Sequence, residues 1–181
     1  LGVERSESVG ESHTRFGAAT LAGNLHEALG IFADVLRRAH LPAAQLEAGR
    51  QVMYQELRSV EDEPAQKVML ELRRRHYPDP WGRPSQGDAA SLQAISLEDI
   101  RNHFQRVYRP TGTILGVAGR FHWESLKDHV GNLLGDWQPS EAVDPAESHH
   151  PAPYQHLGYD SNQTQIGVAY ASVPYRSEDY F

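Results

Sequence analysis

The chain has 181 residues, which suits one domain or one domain with part of another, and its hydrophobic content of 39% is enough for a core. Its 24 acidic and 17 basic residues give a net charge of −7 without any basic run, which excludes nucleic acid as a partner. The absence of cysteine excludes disulfides and thiolate zinc sites, and no apolar run approaches the roughly 20 residues of a membrane span.

The first half of the sequence predicts one strand followed by three helices. Residues 13–21 are typical of a strand that leads to a Gly-Asn turn, and the apolar spacing over 25–39 predicts an amphipathic helix. A second helix follows over 46–62, and Pro64 opens a third. The proline- and glycine-rich segment 76–88 then predicts a loop.

The second half predicts two helices, two strands and a linker. The stretch from Ser96 to Asp99 resembles a capping box and starts a helix that runs to about Val107. The apolar run 113–118 predicts a buried strand, and residues 123–135 suit a helix. After the linker, residues 163–172 predict another strand, with Ile166, Val168 and Tyr170 on one side.

The composition divides the chain into three parts. We expect residues 1–137 to form the later part of one unit, the proline-rich segment 138–153 to be a linker, and residues 154–181 to begin a second, related unit. A tail this short cannot bury a core by itself. We therefore expect residues 154–181 to be ordered only by pairing, with residues 163–172 joining a sheet of this chain or of a copy of it. The chain begins at Leu1 rather than at methionine and shows no signal peptide, which is compatible with a natural N-terminus further upstream.

Glu56 does not fit a simple core pattern. At about 100° per residue it projects within the apolar stripe of its helix, among Gly49, Val52, Met53 and Val60. An ionised carboxylate in such a stripe is costly unless it is paired or bound to a metal. The residues alone leave two interpretations open, a boundary glutamate that reaches water or an arginine, and a metal ligand or catalytic carboxylate.

The ten histidines form no recognised zinc motif. Neither H-E-x-x-H nor H-x-x-E-H occurs, His122 and His129 are too far apart on a helix to share a metal easily, and His149–His150 lies in the predicted linker. The nucleophile-elbow, phosphate-loop and dinucleotide-binding motifs are also missing. Composition and motifs alone therefore indicate only an α+β domain with one unexpectedly placed glutamate.

The order of elements resembles the insulinase-type (M16) metallopeptidases over roughly residues 13–175. Each motif is loose alone, whereas the ordered series is fairly specific. The positions that carry the resemblance are Arg50, Val52, Glu56, Pro80, Gly82, Asp99, Ile100, Phe104, Tyr108, Pro110 and Gly119.

The resemblance implies an α+β fold in which helices pack on one face of a mixed sheet. It also implies that Glu56 matches the family's third zinc ligand, the other two being the histidines of H-x-x-E-H, whose glutamate is the general base. That motif is absent from the 181 residues, so it either precedes Leu1 or is missing from this homologue. Zinc is expected only in a polypeptide that carries the motif. We further expect the Glu56 side chain to face a shallow concavity beside the strand around residues 13–20.

The implied function is one part of a zinc-dependent endopeptidase that acts on peptides, paired with a second metallopeptidase-like unit in the same chain or in another subunit. Two departures support an alternative, a non-catalytic member that binds peptide or pairs with an active subunit. Gly49 stands where the family often has an acidic residue, and Ser6 lies nearest to a position that is often asparagine. A third alternative is an unrelated α+β interaction domain without metal. We expect the chain 1–181 alone to be inactive as a peptidase.

Overall fold

The computed structural model describes residues 1–139, 141, 145–148, 154–160 and 162–180. Short 3₁₀ turns precede the first two α-helices, and another covers Glu178–Tyr180. The strands and α-helices in these ranges are β1 (Glu4–Val9), β2 (Thr14–Ala19), α1 (Leu25–Arg38), α2 (Leu46–Glu61), α3 (Pro64–His76), α4 (Ala89–Ala94), α5 (Leu97–Val107) and α6 (Trp123–Leu134).

The described strands form one antiparallel hairpin. β1 pairs with β2 in a register that places Glu4 opposite Ala19 and Val9 opposite Thr14. The amide of Gly10 donates to the carbonyl oxygen of His13 at 2.9 Å and closes the turn. With six helices and this hairpin in the described ranges, the α+β class predicted from the sequence is confirmed.

The small buried core lies on α1 and α6, which contact each other. The buried hydrophobic residues in the described ranges are Ala28, Ala33 and Leu126. Their small number reflects an open arrangement, because many large apolar side chains elsewhere remain exposed. Every helix in the described part of the chain is too short or too polar to cross a bilayer.

Polar contacts tie α6 to both ends of α1. The ring of His129 stacks on that of His26 with centroids 4.4 Å apart, and its Nε2 lies 2.9 Å from the His26 carbonyl oxygen. At the other end, Arg37 donates to the Leu133 carbonyl oxygen and pairs with Asp136 at 2.8 Å. The hydrogen bond from Arg37 lowers the pKa of Asp136.

The predicted capping box of α5 is confirmed. The amide of Asp99 donates to the Ser96 hydroxyl oxygen at 3.1 Å, and the Ser96 amide donates to the Asp99 carboxylate at 2.8 Å. The Ser96 hydroxyl, and after it the Ser96 amide, lowers the pKa of Asp99 because both donate to the ionised form. These bonds satisfy amide groups that a helix N-terminus otherwise leaves without partners.

We expect Ser96→Ala to lower the free energy of unfolding by about 1 kcal/mol, the usual cost of losing a side-chain N-cap. A lowered carboxyl pKa stabilises the fold above its ordinary value, and that stabilisation is lost as the pH falls through the folded-state pKa. The difference between the variant and the parent should therefore shrink below about pH 4. Urea unfolding at neutral and acidic pH measures it, with Ser172→Ala on an exposed segment as the control. Equal midpoints for Ser96→Ala and Ser172→Ala would contradict the capping role.

Two segments that the sequence predicts as strands are not strands in the structure, so both predictions are wrong. Residues 113–118 and 163–172 belong to no strand of the described ranges. The predicted burial of 113–118 is also wrong, since Ile114 is 92% exposed and Leu115 is 48% exposed. The physical reason is that an apolar run becomes a buried strand only when neighbouring strands cover its edges, and no described strand lies beside either segment.

The described parts of the predicted linker are attached to the loop after α3. Asp79 and Ser148 exchange two backbone hydrogen bonds of 2.7 and 3.1 Å, and the Trp81 indole donates to Glu147 at 2.5 Å. The tail then lies against the end of α2, where Tyr159 donates to the Glu61 carbonyl oxygen at 3.1 Å, and against α3, where the Lys67 ammonium lies 5.6 Å from the centre of the Tyr159 ring. The remaining linker positions (140, 142–144 and 149–153, with the His149–His150 pair) and residues 161 and 181 of the predicted second unit lie outside the described residues.

Candidate functional site

Glu56 lies on an exposed face of α2. We call the residues Gly49, Val52 and Glu56 the Glu56 face. A side chain added at Gly49 would meet nothing within 4 Å, and Val52 is 54% exposed. Glu56 itself is exposed, and its carboxylate makes no hydrogen bond or ion pair with the described part of the chain. An apolar residue and a carboxylate that has no partner among the described residues therefore share an exposed helical surface.

The expectation that Glu56 faces a concavity beside residues 13–20 is wrong. A cavity does lie beside that strand, but it is lined by β2, α1 and residues 107–121, without any residue of α2. The reason lies in the packing of α2, which contacts α3 and α4 and turns the Glu56 face outward. The helical projection identified which residues share a face but not what that face meets.

The described residues do not form a zinc site by themselves. No group of three or more histidine, cysteine, aspartate or glutamate side chains comes together within the described ranges. The candidate histidines have other contacts, because His122 caps α6 by accepting from the Ser125 amide at 3.4 Å and His129 stacks on His26. A single carboxylate from Glu56 is too few ligands for tight zinc binding.

Arg50 fixes α2 against the end of α4. Its guanidinium donates to the carbonyl oxygens of Leu92, Gln93 and Ile95, at 3.1 Å for the last two. Its Nε also lies 3.2 Å from the Glu47 carboxylate, and the side chain is only 15% exposed. The planar fork of arginine suits this cluster of carbonyl groups at a helix C-terminus. The sequence showed Arg50 as a position of the resemblance but gave no sign of this role.

Gly82 of the proline–glycine loop is required by close backbone packing. A Cβ at this buried position would lie 2.9 Å from the Tyr77 carbonyl oxygen and 3.0 Å from the Arg74 carbonyl oxygen. Backbone atoms cannot yield as a flexible side chain can, so only glycine fits. With glycine at this position the loop can pass close to the end of α3. Asp79 and Trp81 of the same loop bind residues 147–148.

Phe104 and Tyr108, the two aromatic residues among the positions that resemble the M16 family, connect α5 to β2. The rings of Phe104 and Tyr108 stack with centroids 4.7 Å apart, and Tyr108 meets Phe16 edge to face at 6.3 Å. These contacts place the end of α5 beside the middle of β2. They also bring the following segment, residues 112–119, to the border of the same cavity.

That cavity is an open cleft of about 980 Å³. One side is β2 with the residues around it, the other is segment 112–119, and Leu29 and Phe32 of α1 lie among the lining residues. Arg15, Arg109 and Arg120 line it, and no carboxylate side chain lines it in the described part of the chain. The sequence analysis expected a concavity beside residues 13–20 but placed Glu56 on it, and it missed segment 112–119 as a border because it treated 113–118 as a buried strand.

The fold is that of an M16-like peptidase unit. A crystal structure of an M16-like peptidase from Alicyclobacillus acidocaldarius superposes with a TM-score of 0.70 at 22% identity, over 81% of this chain and 35% of that chain. Residues 94–181 match the family model described as the Peptidase M16 inactive domain.

Two curated relatives support the same assignment. The β subunit of the mitochondrial processing peptidase of Saccharomyces cerevisiae is 24% identical over 189 aligned residues, covering 100% of this chain and 41% of the relative. A zinc protease of Rickettsia felis is 22% identical over 97% of this chain and 43% of its own length. The predicted resemblance is therefore confirmed: this chain is similar in sequence and in fold to M16, or insulinase-type, peptidases.

The chain spans only part of the length of the curated relatives that it matches, for example 25% of a mitochondrial processing peptidase β subunit from Arabidopsis thaliana and 43% of the Rickettsia felis protein. The matches also remove the third alternative from the sequence analysis, an unrelated α+β interaction domain, because fold and sequence agree on one family.

Proposed function

We propose that this chain is one piece of a zinc-dependent endopeptidase of the insulinase type that acts on peptides. The observation that carries the proposal is the Glu56 face, where a carboxylate without a partner among the described residues lies beside exposed Val52 on α2. Kinship with chains named zinc protease supports a metal as the missing partner. A carboxylate oxygen is one of the ligands that zinc accepts in catalytic sites.

In this proposal Glu56 supplies one zinc ligand, and an H-x-x-E-H segment outside residues 1–181 supplies the others. Glu56 and those histidines would hold the zinc, and the bound metal would supply Lewis-acid activation of water. The part played by the described residues is positional. Arg50 anchors α2 to the end of α4, and exposed Val52 gives the Glu56 face an apolar surface on which another helix can pack.

The substrate would be an extended peptide in this proposal. The outer edge of β2 is free in the described part of the chain, and a free edge can accept a peptide through main-chain hydrogen bonds with weak sequence demands. The second metallopeptidase-like unit, begun by residues 154–181 or supplied by another subunit, would enclose that peptide.

A second candidate is a non-catalytic member that binds peptide or pairs with an active subunit. Gly49 favours it, because no acidic side chain supports Glu56 from the preceding turns of the Glu56 face. The two candidates differ in whether an H-x-x-E-H segment accompanies this chain.

We expect purified 1–181 to hydrolyse no peptide, because it lacks both histidine ligands and the base glutamate. A longer polypeptide that carries H-x-x-E-H before Leu1 should cleave unfolded peptides, and a chelator should stop it. Fluorogenic peptide assays with and without 1,10-phenanthroline measure this, with a Gln variant of the motif glutamate as the control. Chelator-sensitive cleavage by 1–181 alone would contradict the proposal, and so would an inactive longer polypeptide that carries the intact motif.

A further inference from the structure

The cleft between β2 and segment 112–119 carries an unbalanced positive charge. The lining side chains that can be positively charged are His13, Arg15, Arg109 and Arg120, and no carboxylate side chain lines the cleft in the described part of the chain. The net charge of the whole chain is −7, so this surface is opposite in sign. We propose that the cleft binds peptides with acidic side chains, which Arg15 and Arg120 select. The inference rests on the proposed function, because it names the class of peptide that the proposed peptidase would take.

Arg15 and Arg120 have the freedom to bind such a ligand. Both side chains are exposed, and neither forms a hydrogen bond or an ion pair within the described residues. Arg109 differs from them, because it is half-buried and donates to the carbonyl oxygen of Glu141. Its charge adds to the potential of the cleft, but its guanidinium is already engaged. The selection of acidic side chains is therefore assigned to the two exposed arginines.

The carboxylates next to lining residues in the sequence do not neutralise these two arginines. Glu11 pairs with Arg73 at 3.1 Å, and Asp136 pairs with Arg37 at 2.8 Å. Glu27 is also next to a lining residue, but it does not line the cleft and forms no ion pair within the described residues. The positive charge of the cleft is therefore left for a ligand to balance.

Arg15 is placed to meet a carboxylate on an added strand. It lies on β2, and the residue opposite it in the hairpin is Ser8 of β1, so no carboxylate lies directly across from it. The outer edge of β2 is the edge that the proposed function gives to the main chain of the substrate. Opposite charges directly across a pair of strands stabilise the pair, and like charges destabilise it. An acidic peptide residue opposite Arg15 is therefore favoured over a basic one.

Apolar side chains of the cleft restrict the peptide further. Leu29, Phe32 and Leu36 share one face of α1 by their spacing, line the cleft and are half-buried. Leu115, on the opposite border, is 48% exposed. A bound peptide can cover this apolar surface with large side chains of its own. Since successive side chains of an extended peptide point to opposite sides, the peptide that fits alternates acidic with large apolar residues.

Peptide binding to purified 1–181 tests the inference without any catalysis. The probes are short peptides with one neutral fluorophore, in which leucine alternates with glutamate, with glutamine or with lysine. Fluorescence anisotropy at low salt gives each Kd. We expect the glutamate peptide to bind at least about threefold more tightly than the glutamine peptide, and the lysine peptide to bind most weakly. The net charge of −7 by itself would reverse this order, because it attracts the lysine peptide.

Two cleft variants and a matched control locate the binding site. Arg15→Gln and Arg120→Gln should each weaken binding of the glutamate peptide about two- to fivefold, as the loss of an exposed ion pair does, and should leave the glutamine peptide unaffected. Arg58→Gln removes the same charge from an exposed position of α2 outside the cleft and should behave as the parent. Circular dichroism verifies that each variant is folded.

Three results would overturn the inference. One is a glutamine or lysine peptide that binds the parent as tightly as the glutamate peptide does. Another is an equal loss of binding in Arg58→Gln and in the cleft variants. The third is the absence of binding by every peptide, because the cleft lies within 1–181. None of the three decides the zinc-dependent activity, which cleavage by the longer polypeptide tests separately, so the two proposals fail on different measurements.

Discussion

Arg50→Met is expected to lower the free energy of unfolding by about 3 kcal/mol. The arginine side chain is 15% exposed and donates to three carbonyl oxygens at the end of α4. Charge-assisted hydrogen bonds contribute about 1.5–3 kcal/mol each, and their contributions are not additive. Methionine keeps the length and the apolar stem of the side chain but leaves the carbonyl groups of Leu92, Gln93 and Ile95 without their donor.

Denaturant unfolding measures this effect, with two matched variants. Arg58→Met makes the same change on an exposed side chain of the same helix and should shift stability by less than about 0.5 kcal/mol. Arg50→Lys should recover only part of the loss, because one ammonium cannot reach three carbonyl groups as a planar fork does. If Arg50→Met and Arg58→Met cost the same, the structural role assigned to Arg50 is wrong.

The helices were predictable because their signals are local. Apolar spacing marked α1, α2 and α6, Pro64 marked the start of α3, and Ser96 with Asp99 marked the start of α5. Each signal depends on residues within one or two turns, and the structure places these five helices close to their predicted bounds, whereas α4 (Ala89–Ala94) was not predicted. The pairing partners of an apolar run are not local. For that reason the sequence predicted strands at 113–118 and 163–172, whereas the described structure assigns no strand to either segment.

β1 was missed for a related reason. Its sequence, Glu4 to Val9, has no apolar alternation, and all six residues are exposed. β1 is part of a sheet because it pairs with β2. The hairpin turn at residues 10–13 places the two strands antiparallel and side by side. A polar strand held by backbone bonds alone leaves no periodic signal in the sequence.

The sequence predicted which residues share the Glu56 face, but it did not predict what surrounds that face. The spacing put Gly49, Val52 and Glu56 together, and the structure agrees that they share one side of α2. Whether that side meets a strand, a helix or water depends on tertiary packing. The carbonyl groups that Arg50 caps also come from a segment more than 40 positions away. No pattern within α2 encodes that contact.

Glu56→Gln is expected to abolish tight zinc binding in a polypeptide that carries H-x-x-E-H before Leu1. Glutamine keeps the size of the side chain but removes the anionic oxygen that zinc prefers. Loss of a group that only orients a ligand already costs about 10–100-fold in affinity, so loss of a ligand should cost at least about 100-fold. In 1–181 itself the same change should alter the free energy of unfolding by less than about 0.5 kcal/mol, because Glu56 is exposed and its carboxylate has no partner among the described residues.

The most direct test of the account is the zinc content of the longer polypeptide in parallel preparations of the parent, Glu56→Gln and Glu61→Gln. Glu61 is an exposed residue of the same helix on a different face, so its variant controls for the loss of one charge. Plasma mass spectrometry gives the metal per chain, and competition with a chromogenic chelator gives the affinity. The account predicts one tightly bound zinc in the parent and in Glu61→Gln and none in Glu56→Gln. Zinc bound as tightly by Glu56→Gln as by Glu61→Gln would contradict it.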